Sequence, residues 1–439
     1  MVFSIILVVG FLMVVVRSSK KTERNYKVLL YIFLLAWGTA LVTSSFGFFD
    51  MEIPSGFSYF LLLLHLVGFT AGALTITTTT SKQTNKTDLS LAKIENNIVR
   101  ILNSWIFRVF IIFMAVYVTY VFSKYWVKVL FYQNISDTRE QLVEIYGYAY
   151  YTFAKPLLFL PTTIVCYVLF GYSIFKKRDW FCFLMGYYLV VNASLTGGRF
   201  GYVYIAMGVV FANLFVVKVS LRKHWPKFAI AVAVLYVLIV LITTFRSVFV
   251  SIDKGTLEQG AELANEQIVT YFVGPQAAFD YALENDYLTQ VGGYGLGSLT
   301  FAPVVNFVDF FTDTFLEFQV NTYILRVVKL LEDSPIYLEG GQQQWNALYT
   351  AVLFYYFDGG VVGVFVFPFF LGLILSILIR KMLKSGSVLH FALCGFFFIC
   401  MIKSLLRMEE FWRFDSIALV TMFIIGNLKI GKYGNKQLR

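Results

Sequence analysis

The lysines and arginines of this chain gather in clusters that follow every second apolar run. The clusters are Arg17, Lys20, Lys21, Arg24 and Lys27; Lys82, Lys86, Lys93 and Arg100; Lys176, Lys177 and Arg178; Lys218, Arg222, Lys223 and Lys227; Arg380, Lys381 and Lys384; and Lys429, Lys432, Lys436 and Arg439. Together they hold well over half of the 36 Lys and Arg, against only four acids, Glu23, Asp88, Glu95 and Asp179. Short cytoplasmic loops of membrane proteins concentrate positive charge, and loops on the far side do not. A cluster at every second connection therefore fixes the parity of the segments between them. A bilayer-crossing helix needs roughly 17–25 mostly apolar residues. Eleven runs are candidates: approximately 1–16, 28–48, 57–79, 103–123, 155–175, 180–196, 200–217, 228–245, 348–379, 388–405 and 414–428. An odd number with a basic tail inside puts the N-terminus outside and the C-terminus in the cytoplasm, and one miscounted helix would break the alternation. The expected fold is an all-α polytopic membrane protein of about eleven transmembrane helices, a single integral membrane domain over 1–439. The first run has no positive leader before it and no small-residue cleavage site after it, which separates it from a signal peptide.

Composition agrees with this reading. The 439 residues are 58% hydrophobic and 14% charged, where a soluble domain carries about 25% charged residues. The net charge of +10 is scattered through short loops, with no basic domain to follow a phosphate backbone, so nucleic acid is not an expected partner. Cys166, Cys182, Cys394 and Cys400 all lie inside apolar runs, without the spacing of a metal site or a disulfide framework.

One outer loop is large, spanning 246–347, and it carries thirteen acids against four bases, Arg246, Lys254, Arg326 and Lys329. Within it TLEQGAELANEQIV has helical composition and VGGYGLGSL reads as a glycine-rich turn. In PVVNFVDFFTDTFLEF, Asp309, Asp313 and Glu317 recur every four residues while Phe307, Phe311, Phe315 and Phe318 cluster apart from them. That spacing suits a helix lying at a membrane surface, its acidic stripe facing water.

Against this acidic background six arginines fall outside: Arg139, Arg199, Arg246, Arg326, Arg407 and Arg413, most of them at span ends. An outer arginine works against the topology signal, and its planar fork suits phosphate or carboxylate. Arg199 closes TGGR, where Gly197 and Gly198 permit a tight turn whose amides point at an anion. The alternatives are lipid headgroups and local acids such as Glu409, Glu410 and Asp415. After the loop, Asn346, Tyr349 and Thr350 open a span with polar side chains, and Asp358-Gly359-Gly360 follows about twelve residues after Asn346. A straight helix would carry Asp358 nearly half-way into the bilayer. A bend or re-entrant hairpin is expected instead, with Asp358 facing an internal cavity.

At these residues the sequence resembles the O-antigen and capsule repeat-unit polymerases, the Wzy-like family. The resemblance rests on TGGR at 196–199, on FVGPQAAFDYALENDY and GGYGLGSLTFAP within 272–303, and on WNALYTAVLFYYFDGGVVG at 345–363. The last is similar to the family's Asn-x-Tyr-Thr…Asp-x-Gly…Gly pattern, with one extra residue between Asn346 and Tyr349. The resemblance implies an integral-membrane glycosyltransferase (GT-C-like) architecture in the bacterial cytoplasmic membrane. It implies joining of undecaprenyl-diphosphate-linked oligosaccharides at the outer face, with no cofactor and no metal, and a chain-length regulator protein as a partner. Arg199 and Arg246 would then contact the diphosphate, with Arg139, Arg407 and Arg413 as further choices. Asn346, Tyr349 and Thr350 would line the glycan cavity. For the base that takes the acceptor proton, Glu409, Glu410, Glu339 and Asp358 qualify by position.

Three other functions compete. An O-antigen ligase uses a histidine in its large outer loop, whereas His65 lies inside a span, His224 in an inner loop and His390 at the cytoplasmic start of the tenth span. His65 reads as a hydrogen-bonded core residue. A polyprenyl-phosphate-sugar glycosyltransferase has an acidic pair in its first outer loop, where Asp50 and Glu52 stand. A flippase for the lipid-linked unit would show internal repeats, and the two halves of this chain do not resemble each other.

Overall fold

The computed structural model describes residues 1–19, 24–47, 51–76, 84–132, 147, 150–195, 200–217, 233, 237, 240, 257–333, 336–338, 343–345, 349–406 and 413–427. Ten of the eleven apolar runs are helices. They are α1 (Val2–Ser18), α2 (Arg24–Ser44), α3 (Gly56–Thr75), α5 (Trp105–Tyr132), α6 (Leu160–Lys176), α7 (Trp180–Ser194), α8 (Phe200–Ala212), α13 (Ala351–Ser385), α14 (Val388–Lys403) and α15 (Arg413–Asn427). A π-helical stretch, Tyr150–Phe159, leads into α6, and another, Asn213–Val217, extends α8. The remaining run, 228–245, lies almost wholly outside the described residues. Five of these helical segments are long and apolar enough to cross a bilayer: Arg24–Ser44, Gly56–Thr75, Trp105–Lys128, Phe153–Lys176 and Ala351–Ser385. The others are shorter apolar helices. The chain is a polytopic membrane protein built of helices.

Between these runs, α4 (Thr84–Asn103) is an amphipathic helix that buries Leu91, Ile94, Ile98 and Leu102 along one stripe. The large loop folds into α9 (Leu257–Glu284), the single turn α10 (Tyr287–Gln290), α11 (Ala302–Leu316) and α12 (Thr322–Asp333). The one departure from an all-α fold among the described residues is a small antiparallel pair, β1 (Ile336–Leu338) and β2 (Gln343–Trp345), with Tyr337 opposite Gln344.

Helix contacts carry directional information. Tyr167 meets Tyr204, and Gly171 meets Gly208, so α6 and α8 run parallel. Phe107 meets Phe181, and Thr119 meets Tyr187, so α5 and α7 also run parallel. Phe211 packs on Phe391 while Tyr204 meets Lys403, so α8 and α14 are antiparallel. Each relation is the one the charge alternation requires.

The segment ends also sort into two groups. At one, Asn97 donates to the Gly386 carbonyl at 2.8 Å, Lys176 pairs with Glu95, and Arg108 and Lys177 share Asp179. At the other, the Ala351 N–H meets the Ser404 carbonyl, Asn306 bonds Ser416, and Asp280 of α9 holds the start of α3. The basic clusters mark the first group.

The tightest packing joins α3 to α13. In a bilayer apolar side chains gain nothing by leaving lipid, so close backbone approach through small residues takes over. A Cβ on Gly68 would lie 2.4 Å from the Phe365 carbonyl oxygen, and one on Gly72 only 1.9 Å from that of Phe369. Gly372 approaches the Phe69 carbonyl in the same way. Only glycine lets these two backbones touch.

Candidate functional site

Thr350 caps α13, its hydroxyl accepting the Val352 N–H at 3.1 Å. About two turns into the helix comes Asp358, followed by a break. Gly360 has φ 60° and ψ −146°, a conformation essentially closed to residues with a Cβ. The bend expected at Asp358-Gly359-Gly360 is therefore present.

A broken helix frees carbonyl groups that normally accept from residues further along. Here the glycine-rich turn of the outer loop takes them. Gly295 N–H donates to the Phe357 carbonyl at 2.9 Å, and Leu296 N–H to that of Asp358 at 3.0 Å. The Asp358 carboxylate returns the interaction. Its Oδ1 accepts the Leu299 N–H at 3.0 Å, and its Oδ2 accepts both the N–H and the hydroxyl of Thr300 at 2.6 Å. Tyr323 of α12 closes the assembly from the other side, its hydroxyl 2.7 Å from the Gly293 carbonyl and 3.3 Å from that of Phe357. Burial and the facing Asp358 carboxylate push the Tyr323 phenol up to about 12, opposed by Arg326, whose guanidinium lies over the Tyr323 ring. Gly295 admits this contact, because a Cβ there would lie 2.3 Å from the Tyr323 ring and 2.8 Å from Asp358 Oδ1.

Asp358 is only 1% exposed. It faces the backbone of the loop rather than a cavity, which corrects the expectation of an open carboxylate. With its lone pairs taken by three donors it clamps a loop and is poorly placed to accept a proton from a substrate hydroxyl. Tyr349 and Thr350 are also buried. Tyr349 is set against Tyr287 and Tyr281. Neither lines an open glycan cavity.

Two further acids of the outer loop act in the same structural way. Asp280 accepts from the Ser55 N–H at 2.9 Å and from the Ser55 and Ser58 hydroxyls, tying α9 to α3. Asp309 accepts the N–H groups of Val320 and Asn321, so this member of the acidic stripe is buried and not solvated.

Most of the remaining site residues expected from sequence, Arg139, Gly197, Gly198, Arg199, Arg246, Glu339, Asn346, Arg407, Glu409 and Glu410, lie outside the described residues. Arg413 is the first residue of α15. The structure adds two cations that a search confined to arginine missed. Lys403, the last residue of α14, is 2% exposed; its ammonium sits 4.3 Å from the Tyr204 ring centre and bonds the Tyr204 hydroxyl. Lys155 lies in the π-helical stretch before α6, where the Asp415 carboxylate of α15 acts on it. Both stand at the non-basic end of their segments, and the test applied to the arginines would have found them. His65, read as a hydrogen-bonded core residue, is instead boxed by Trp37, Phe33 and Tyr355, and neither ring nitrogen has a protein hydrogen-bond partner among the described residues.

No protein-family model, curated protein or solved structure matches this chain.

Proposed function

We propose that this chain is a repeat-unit polymerase of the Wzy-like type, a glycosyltransferase that joins undecaprenyl-diphosphate-linked oligosaccharides at the outer face of a bacterial cytoplasmic membrane. Eleven spans, an external N-terminus, a cytoplasmic C-terminus and a GT-C-like architecture belong to the proposal. One observation supports it above the others. Two of the segments that carry the family resemblance, 272–303 and 345–363, are far apart in sequence yet meet at one place, the clamp between Asp358 and Thr300.

In this reading the acceptor hydroxyl of one repeat unit attacks the anomeric carbon that bears the diphosphate of another. The new glycosidic C–O bond forms as the anomeric carbon–phosphate oxygen bond breaks, and undecaprenyl diphosphate leaves. Arginine forks aimed at the leaving oxygens stabilise the charge that develops there. Arg199 and Arg246 are assigned that role, with Arg139, Arg407 and Arg413 supporting. Glu409, Glu410 and Glu339 remain for the acceptor proton, because the carboxylate of Asp358 is engaged by the loop.

The test is release of undecaprenyl diphosphate by the purified chain in vesicles, given a defined lipid-linked repeat unit. Release in step with the appearance of dimeric product is expected. Translocation of the unit without release would overturn the proposal in favour of a flippase.

A further inference from the structure

The glycine-rich loop carries a leucine that is hard to explain in water. Leu296 is 88% exposed and has φ 50°, the left-handed region that a side-chain-bearing residue enters at a cost. Holding an apolar side chain outward in a strained conformation has no rationale at a solvated loop tip. Its neighbours supply one. The Leu296 N–H is bonded to the Asp358 carbonyl, inside α13, and the apex glycine, Gly297, abuts the ring of Phe367 well down that helix. On α13 itself, just past the break, Val362 is 71% exposed. In a bilayer-crossing helix such a residue faces acyl chains.

A further exposed apolar face meets α13 at Phe367. Phe301 touches Phe367 edge-on, and Phe301, Val304, Val308, Phe311 and Phe315 run along one face of the segment that becomes α11. The opposite face of α11 is buried through Asn306 on Ser416 of α15 and Phe310 on Phe153 before α6.

A second, independent feature is the backbone. Irregular chain survives at membrane depth only where its polar groups are satisfied within the protein. Between Gly292 and Phe301, the N–H groups of Gly292, Gly293, Gly295, Leu296, Ser298 and Phe301 meet carbonyls, and those of Leu299 and Thr300 meet the Asp358 carboxylate. Eight of the ten backbone N–H groups in this stretch are thus bonded within the protein.

We infer that residues 292–301 form a re-entrant segment seated in the outer leaflet, with Leu296 and the exposed face of α11 in contact with lipid acyl chains and Asp358 holding the segment at that depth. The occupant of this surface is the bilayer itself, in continuity with the lipid-facing side of α13. The inference rests on the membrane character of the chain and not on the proposed activity.

Spin labels on single cysteines test it in the full-length protein, reconstituted in phosphatidylglycerol–phosphatidylethanolamine vesicles after its four native cysteines are replaced. Leu296→Cys is compared with Val362→Cys as a lipid reference and Asn285→Cys as an aqueous one. The label at 296 is expected to be open to oxygen and shielded from a water-soluble nickel chelate, matching 362 and opposite to 285. Collision with nickel at 296 as strong as at 285 would overturn the inference. So would shielding from both reagents, which would mean that protein covers the loop. Adding Thr300→Val, which removes one donor to the clamp, is expected to raise nickel access at 296 and leave 362 unchanged.

Discussion

Asp358 shows how little of a residue's role is written in its identity. A carboxylate in an apolar run suggested a base or a cavity ligand, and the same aspartate turns out to hold three donors of a distant loop. Asp358→Asn would present an amide N–H₂ or a weaker acceptor to those donors. A loss of about 2–3 kcal/mol is expected, the worth of hydrogen bonds to a buried charge, measured by thermal unfolding in detergent. Unchanged stability would show that the clamp is dispensable. Tyr323 adds a pH signature. Its folded-state pKa, near 12, lies above the ordinary phenol value of about 10. The stability this contributes is complete below that ordinary value and is lost as pH rises through the folded one. Tyr323→Phe is thus expected to be less stable than the parent at about pH 8, with the gap narrowing above about pH 10. A gap that does not change with pH would mean that the phenol titrates alike in the folded and unfolded chain.

At the scale of elements, the break in α13 and the α3–α13 contact make separate demands on glycine. Gly360→Ala forces a Cβ into a backbone region that costs about 1–3 kcal/mol, and brings it within 2.8 Å of the Tyr294 hydroxyl. Gly72→Val meets the Phe369 carbonyl and cannot be absorbed by a side-chain rotation. Overpacking of that kind costs about 1–3 kcal/mol or more. Both variants are expected to unfold at lower temperature, while Gly10→Ala, with open space around it, serves as the neutral control. Most of the elements were legible. Apolar runs marked the helices, Asp358-Gly359-Gly360 the bend and VGGYGLGSL the turn, because each depends on local composition. The docking of that turn onto that bend was not, since no local signal links Thr300 to Asp358 across the intervening chain. The burial of Asp309 escaped for the same reason: a four-residue spacing marks a helical face and not what covers it.

For the whole molecule, charge alternation and helix contacts agree on direction, although they draw on different physics: one on insertion of loops, the other on packing of side chains. On that frame the proposed chemistry makes a demand of Arg199. Arg199→Lys keeps the charge and loses the bidentate fork, so polymer yield is expected to fall at least about tenfold, the effect of roughly 1.4 kcal/mol of lost transition-state stabilisation. Parental yield from Arg199→Ala would remove the residue from the mechanism. Polymerisation itself is tested by its product. Purified protein in vesicles is given a defined undecaprenyl-diphosphate-linked repeat unit, with no nucleotide sugar and no added metal, and the products are sized on a gel. A polymerase yields a ladder whose rungs differ by one repeat unit; a single unextended band across several matched substrates would rule polymerisation out.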